Sequence, residues 1–300
     1  MNLIGKPWGI RYKRMLFFLS RMKSTAGYRS LSMDSETLPS FKRKRASFRN
    51  CLVSGFSTEL LEVVSEEPSL NVLFIPGNPG VVSFYKEFVE SLYEQLEGSA
   101  SITAIGHISH SKEDLAFGRL FSLQEQINHK VDFIKERQNK HLPIILVGHS
   151  IGSYVCLDLL KRFPEQVIFV VLLYPFLTVN TSSLKQSVLA VLSRSSLLGA
   201  SISYFWALLG SFPMLISRAL VRGLVGQSWS RTAVDAACSS LLKYHTVRNA
   251  LFMAKSEFKE LAGEPDWGFM KENVKQITFL FGDDDHWSPL SFYEERGLPK

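Results

Sequence analysis

A serine between two glycines stands where an apolar run gives way to a helical pattern. The residues Gly148-His149-Ser150-Ile151-Gly152 follow Pro143–Val147, whose apolar side chains are typical of a strand buried on both faces. Ser150 is the predicted nucleophile, because a sharp turn between a strand and a helix holds the hydroxyl where a substrate and a base can reach it. At Gly148 and Gly152 we expect that a side chain would collide with neighbouring backbone. The indicated chemistry is transfer of an acyl group through a serine ester.

A second turn, Pro76-Gly77-Asn78-Pro79-Gly80, follows the predicted buried strand Asn71–Ile75. It is too rich in glycine and proline for a helix or a sheet, and a plain reverse turn is the alternative interpretation. Attack on a carbonyl creates a negatively charged oxygen that needs N–H donors. Proline has no N–H, so Asn78 is the best donor within this turn, and the second donor is expected from Ile151, the residue after the nucleophile.

Three aspartates follow the predicted strand Gln276–Phe281, in the turn Gly282-Asp283-Asp284-Asp285-His286. A carboxylate in such a turn can orient an imidazole and stabilise the positive charge that the imidazole gains with the serine proton. Asp285 is the preferred acid, because it lies just before the segment that begins the next helix. Asp283 and Asp284 could equally serve as turn or capping residues.

Buried strands and amphipathic helices that alternate along the chain must position these groups. Helices are predicted over Ser83–Leu96 and Leu123–Arg137, and a central strand over Val167–Tyr174. Cys51–Glu67 is expected to form the first edge strands. This order predicts an α/β protein with an α/β-hydrolase fold, whose mostly parallel, doubly wound sheet belongs to one domain over residues 51–300.

An inserted cap is predicted at about residues 178–272, because about a hundred residues separate two strands that need only a short connection. Ser195–Ser217 holds no charged residue, and as a helix it would reach about 35 Å, enough to span a bilayer. Gly199, Gly210 and Pro213 interrupt it, so spanning is not preferred. Two interpretations stay open. One is a helical hairpin that dips into a lipid monolayer with arginines at the headgroups, and the other is a water-soluble cap that buries its apolar residues on the catalytic domain.

The net charge of +6 is concentrated in one segment. Residues 1–50 contain 12 Lys and Arg against Asp34 and Glu36, which leaves residues 51–300 mildly acidic. We therefore expect no nucleic-acid partner for the body of the chain. The basic segment is predicted to be disordered or to act in targeting, as an organelle transit peptide or on an anionic membrane. A functional start at Met33 is a further alternative.

The cysteines Cys51, Cys156 and Cys238 are too few for a disulfide framework and lack the spacing of metal ligands. His107 and His110 follow a short predicted strand without an acidic or cysteine partner at ligand spacing, so we expect them to pack in the core or to line the lip of the substrate site. Neither a metal nor a cofactor is expected.

Taken in order, four segments resemble the lipid droplet-associated hydrolase family: Ile75–Gly80, Phe84-Tyr85, Gly148–Tyr154, and Phe281-Gly282 with Asp285 and Trp287. The resemblance runs from about Asn71 to the C-terminus. It implies a serine lipid hydrolase with Ser150 as nucleophile and Asp285 as acid, which takes part in lipid storage and turnover. It also implies ester-lipid substrates, a location on lipid droplets and the cytosolic face of the endoplasmic reticulum, and attachment to the droplet through the apolar cap.

The family pattern places the histidine base after the acid, beyond a further helix and a last strand. Here only His286 follows Asp285, on the same turn, and Trp287–Lys300 is too short for that helix and strand. We therefore expect the chain to be C-terminally incomplete, with the base and these last elements beyond Lys300, and to be a poor catalyst. His149 is expected to point away from the site. No triad role is expected for the earlier histidines, which are His107, His110, His129, His141 and His245.

Two other functions fit the same residues. The first is a lipid-surface binding protein that keeps the fold without catalysis. The second is a soluble hydrolase of small esters or thioesters with a buried cap. Droplet binding that survives replacement of Ser150 would indicate the first, and recovery in the cytosol would indicate the second. The sequence specifies neither the acyl chain nor the oligomeric state.

Overall fold

A mostly parallel sheet forms the centre of the molecule. The computed structural model describes residues 44–225, 229–282, 285 and 287–297. The strands within them are β1 (Ser47–Val53), β2 (Phe56–Val63), β3 (Leu70–Ile75), β4 (Ala100–Ile105), β5 (Ile144–His149), β6 (Val167–Leu173) and β7 (Ile277–Leu280). They are hydrogen-bonded in the order β1-β2-β4-β3-β5-β6-β7. Strands β3 to β7 run parallel to one another, whereas β2 is antiparallel to both β1 and β4.

Helices cover both faces of this sheet and build the cap. They are α1 (Lys86–Gln95), α2 (Leu123–Arg137), α3 (Ile151–Arg162), α4 (Leu184–Arg194), α5 (Ser196–Ser211), α6 (Met214–Val225), α7 (Arg231–Ala236), α8 (Tyr244–Glu260), α9 (Trp267–Glu272) and α10 (Leu290–Glu294). A tighter 3₁₀ turn, Val82–Tyr85, precedes α1, so the helix predicted from Ser83 has two parts. A π-helical turn, Ala237–Leu241, follows α7.

Alternate residues of the central strands point to opposite faces of the sheet. On β3, Leu73 and Ile75 belong to the core that α2 and α3 cover, whereas Val72 and Phe74 belong to the core that α1 covers. Both faces are therefore dry, which explains why these strands are apolar along their whole length. The predicted doubly wound α/β fold is confirmed.

The folded part begins earlier than the predicted boundary at residue 51. Strand β1 starts at Ser47 and pairs along its whole length with β2. Arg49 forms a 2.7 Å ion pair with Glu62 across that pairing. The prediction of a separate basic segment is therefore wrong for residues 44–50, because this part of the chain joins the sheet. Glu62 of the neighbouring strand compensates the charge of Arg49 there. The rest of that predicted segment, residues 1–43, lies outside the described residues.

Helix α8 supports the cap between β6 and β7, because α4 and α5 both pack against it. The Tyr244 ring at its start lies 4.6 Å from the Tyr204 ring of α5. One turn later, the Arg248 guanidinium donates to the Ser196 hydroxyl at 2.8 Å. Among the described helices none alone has the length and apolar character to cross a membrane; α4 and α5 meet both criteria only as a pair bent by 101°.

Many large apolar side chains of the cap are exposed to solvent. On α5 the buried residues are Gly199 and Ser203, whereas Leu197 is 82% exposed and Leu208 is 60% exposed. Trp206 and Leu209 of α5 are half-buried against a second apolar cluster that includes Val221 and Trp229, so the cap covers only part of its apolar surface. We call the outward surface of the segment from α4 to α6 the cap face. Its exposed large apolar residues are Leu184, Val188, Val191, Leu197, Leu198, Tyr204, Phe205, Leu208, Phe212, Met214, Leu215, Ile216, Leu220 and Leu224.

Candidate active site

Ser150 lies at the turn between β5 and α3, with backbone angles that serine rarely adopts (φ +55°, ψ −120°). Three backbone hydrogen bonds hold this conformation. The Ser150 N–H donates to the Leu173 oxygen at 2.9 Å, and the Ser150 oxygen accepts from Ser153 and Phe176 at 3.0 and 3.1 Å. The residue is half-buried, and its hydroxyl forms no hydrogen bond with the described residues. The hydroxyl is therefore presented at the carboxyl end of the central strand without a competing partner.

The two glycines that flank Ser150 allow this turn to form. A Cβ atom on Gly152 would overlap the Ile75 carbonyl oxygen, and one on Gly148 would lie 2.5 Å from the Gly152 oxygen. Real Cβ atoms do not approach backbone so closely, so both positions require glycine. The predicted collisions at Gly148 and Gly152 are confirmed.

The turn formed by residues 76–80 faces the nucleophile, since a Cβ atom on Gly77 would lie 3.1 Å from the Ser150 Cβ. Two of its N–H groups are engaged: Gly77 donates to the Tyr85 hydroxyl at 3.2 Å, and Gly80 donates to Nδ1 of His110 at 2.8 Å. Pro79 has no N–H. The Asn78 N–H forms no hydrogen bond with the described residues.

Ile151 is the first residue of α3, so its N–H has no acceptor within the helix. The Asn78 and Ile151 N–H groups thus stay the predicted donors to an oxyanion, one from each side of Ser150. The positive end of the α3 dipole adds to the stabilisation of negative charge there.

His149 lies behind this turn and is not placed as a base. Its ring is buried between those of Tyr85 and Tyr174, and its Nδ1 lies 3.0 Å from the Tyr85 hydroxyl. Burial lowers the pKa of His149 to about 4, so the imidazole is neutral at pH 7. This buried position agrees with the expectation that the His149 ring points away from the site.

Asp285 lies after β7 and is buried, with 3% of its surface exposed. Its Oδ1 accepts the N–H groups of Trp287 and Ser288 at 2.8 and 3.2 Å. Its Oδ2 is buried and has no hydrogen-bond partner among the described residues. A carboxylate fixed through one oxygen and unengaged at the other suits an acid that orients an imidazole. Asp283, Asp284 and His286 lie outside the described residues, so the choice among the three aspartates stays a prediction.

A chain of contacts links the Asp285 loop to the nucleophile. The Trp287 ring lies 5.7 Å from the ring of Phe176, whose N–H donates to the Ser150 oxygen. The Tyr293 hydroxyl adds a second link, because it donates to the Pro175 oxygen at 2.8 Å. The structure therefore brings Ser150, the turn of residues 76–80 and the Asp285 loop to the same end of the sheet.

The remaining described histidines are His107, His110, His129, His141 and His245. None of them hydrogen-bonds to Ser150 or Asp285. His107 and His110 are buried behind Gly80, which confirms a packing role for both and excludes an exposed place at a lip. Within the described part of the chain, no cluster of three or more His, Cys, Asp or Glu is arranged to hold a metal ion.

One residue of the site was not predicted. Glu257 of α8 is buried, and its Oε1 accepts the Asn78 side-chain amide at 2.9 Å. Burial raises the pKa of Glu257 to about 8. The sequence does contain a signal, because Met253 and Ala254 precede Glu257 by four and three residues and place it on the buried stripe of α8.

Comparison with known proteins gives matches in sequence and matches in structure. A family model described as lipid-droplet associated hydrolase matches residues 68–297. The lipid droplet-associated hydrolase of Dictyostelium discoideum is 30% identical to the chain over 251 residues, which cover 79% of this chain and 79% of that protein. The lipid droplet-associated hydrolase of Gallus gallus is 30% identical over 241 residues, covering 76% and 74%.

Solved structures give the fold. The Cif epoxide hydrolase from Acinetobacter nosocomialis superposes with a TM-score of 0.59 at 12% sequence identity, over 96% of this chain and 86% of that one. At this level of identity the likeness shows the shared α/β-hydrolase fold and carries no conclusion about the reaction.

Proposed function

The chain belongs to the lipid-droplet-associated hydrolase family, and on that premise we propose that it is a serine hydrolase that cleaves carboxylic esters of lipids at the droplet surface. The observation that carries the proposal is the strained turn that presents Ser150 opposite the unengaged Asn78 N–H. A serine that is half-buried and held in a rare backbone conformation is typical of a nucleophile.

The reaction has two acyl-transfer steps. The Ser150 oxygen bonds to the ester carbonyl carbon as its proton passes to a base, and the bond to the alcohol breaks as the alcohol takes up a proton. Water then attacks the acyl-serine, releases the fatty acid and restores the hydroxyl. In both steps the Asn78 and Ile151 N–H groups stabilise the negative carbonyl oxygen.

Asp285 is the proposed acid of the triad, and its free Oδ2 would accept the N–H of the base. Among the described residues, the rings of His110, His129 and His245 contact Gly80, Thr58 and Ser111 rather than Ser150 or Asp285.

The cap face supports the lipid surface as the place of action. Many of its large apolar residues are exposed to solvent, whereas the fully buried residues of α5 are Gly199 and Ser203, which is unlike a typical water-soluble helix. The segment 181–225 contains Lys185, Arg194, Arg218 and Arg222 but no acidic residue. Such a surface suits an anionic phospholipid monolayer, as on lipid droplets and the cytosolic face of the endoplasmic reticulum.

Labelling with a fluorophosphonate probe tests the proposal. We expect labelling of the wild-type protein, with mass spectrometry locating the adduct on Ser150 and no adduct in the Ser150→Ala variant. Unlabelled wild-type protein should also cleave a long-chain ester in an emulsion faster than a short-chain ester in solution, and Ser150→Ala should cleave neither. Preference for the soluble short ester would favour the small-ester alternative.

A non-catalytic lipid-surface protein is the second candidate, and the exposed apolar residues of the cap face favour it because lipid binding needs no reacting group. It predicts that neither protein is labelled and that both bind droplets equally. Labelling confined to Ser150 would exclude this candidate.

A further inference from the structure

The side chain of Asn78 is tied to the cap helix α8 at two points. Its Nδ2 donates to the Ala250 carbonyl oxygen at 2.8 Å and to Oε1 of Glu257 at 2.9 Å. These acceptors belong to residues seven positions apart on the same face of α8, and one nitrogen reaches both. Asn78 therefore joins the turn that faces Ser150 to the cap.

The orientation of this amide follows from its partners. Both acceptors need an N–H, whereas Oδ1 of Asn78 is buried without a hydrogen-bond partner among the described residues. A flipped amide would place Oδ1 against the Ala250 oxygen, so the two acceptors on α8 select one orientation.

A carboxyl group is unfavourable at the buried position of Glu257, and its contact with Asn78 explains why one is present there. The carboxyl is buried and forms no ion pair among the described residues. Burial makes its charged form unfavourable, and an apolar side chain at this position of the stripe would avoid that penalty. What the carboxyl supplies in return is an acceptor aimed at Asn78.

The backbone around Asn78 needs such a restraint. Gly77 lies on one side of it and Gly80 two residues on, and glycine leaves the chain free to take several conformations. Those glycines are held by the Tyr85 hydroxyl and His110, but no described residue accepts the Asn78 N–H and fixes its direction. Its direction therefore depends on how the Asn78 side chain is held.

We infer that Glu257 is a positioning residue, which holds the Asn78 side chain against α8 and so keeps the Asn78 N–H directed towards the reacting carbonyl. The structural part of this inference concerns the order of the turn of residues 76–80. Its catalytic part rests on the proposed function, since that proposal assigns the Asn78 N–H to the oxyanion.

Hydrogen–deuterium exchange of the full chain tests the structural part. In Glu257→Ala we expect the peptide containing residues 76–80 to exchange about tenfold faster, because local opening loses a tether. Glu257→Gln keeps a carbonyl acceptor and should exchange as the wild type does. Glu260→Ala is the matched control, because this carboxylate lies three residues on along α8 and is exposed.

Asn78→Ala removes the same hydrogen bond by deleting its donor. It provides a second test if the Glu257→Ala variant does not fold. It should accelerate exchange in the same peptide, and the double variant should show no further gain. Unchanged exchange of the turn in either folded single variant would overturn the inference, as would equal effects of Glu257→Ala and Glu260→Ala.

The catalytic part is read from the rate of fluorophosphonate labelling at saturating probe. Glu257→Ala should lower the maximal rate about tenfold with little change in the half-saturating probe concentration, because a misdirected oxyanion donor acts on the transition state. Glu257→Gln should restore the rate. If no protein is labelled at Ser150, the proposed function fails, while the exchange result still decides whether Glu257 orders the turn.

Discussion

The Tyr85 hydroxyl lies 3.0 Å from Nδ1 of His149, and both side chains are buried behind the turn of residues 76–80. The same hydroxyl accepts the Gly77 N–H. It can therefore donate to the histidine while it holds the turn, and burial raises the Tyr85 pKa, so that the phenol keeps its proton. The nucleophile turn and the turn facing it thus share one support.

Removal of this hydroxyl should destabilise the protein. In Tyr85→Phe the buried Gly77 N–H and His149 Nδ1 both lose a partner, and we expect a loss of about 1–3 kcal/mol in the free energy of unfolding. Urea denaturation measures it. Tyr154→Phe is the control, because the half-buried Tyr154 hydroxyl forms no hydrogen bond with the described residues. Equal losses in the two variants would contradict this assignment.

Gly152 should not tolerate a methyl group. In Gly152→Ala the added carbon would overlap the Ile75 carbonyl oxygen, and backbone cannot move aside as a flexible side chain can. We expect a loss of about 3 kcal/mol or more in unfolding free energy, or failure to accumulate as folded protein. Gly263→Ala, whose added carbon meets no atom within 4 Å, should unfold within error of the wild type in the same titration.

Glu257 should make stability depend on pH. Burial raises its pKa from 4.5 to about 8, the Asn78 hydrogen bond opposes that shift, and the charge of Glu260 adds to it. The folded state thus binds more protons than the unfolded state between these values, so this group lowers stability as the pH rises from about 4.5 through about 8.

The Glu257→Gln variant isolates this effect, because an amide does not titrate. We expect its unfolding free energy, relative to that of the wild type, to be higher at about pH 9 than at about pH 5 by an amount of the order of a few kcal/mol. Urea unfolding at both pH values gives the difference. A constant difference between the two proteins would contradict the raised pKa.

The cap face should determine binding to lipid. Leu208 is 60% exposed on α5, and Leu208→Glu places a negative charge where the monolayer would lie. We expect at least a severalfold smaller fraction of protein to float with artificial droplets coated with anionic phospholipid. Leu52→Glu on β1 changes an equally exposed leucine, also 60%, away from the cap and should float normally. Similar losses for both would mean that the cap face has no special role.

Features set by local sterics could be predicted from the sequence. Helix α2 spans the predicted residues Leu123–Arg137, because a regular apolar stripe and a capping box at Ser122 define it. The nucleophile turn could also be predicted. In any strand-turn-helix unit of this kind, backbone atoms lie too close to the positions of Gly148 and Gly152 for a side chain to fit.

Features that depend on distant partners could not be predicted. Asn78 and Glu257 are separated by 179 positions, and no local pattern pairs them. Strand β1 includes the basic residue Arg49, and its ion pair with Glu62 shows only in the folded sheet. The cap posed a different problem, because α5 is apolar on nearly all sides and its sequence does not indicate which side faces inward.

The small inward residues of α5 bear on how this protein must be handled in the laboratory. The large apolar side chains of the cap face are exposed, so in buffer without lipid we expect molecules to associate through this face. Purification without detergent or an oil phase should therefore yield aggregates of mixed size. Activity measured on such a preparation would come only from the few molecules whose cap helices are not in contact with another molecule.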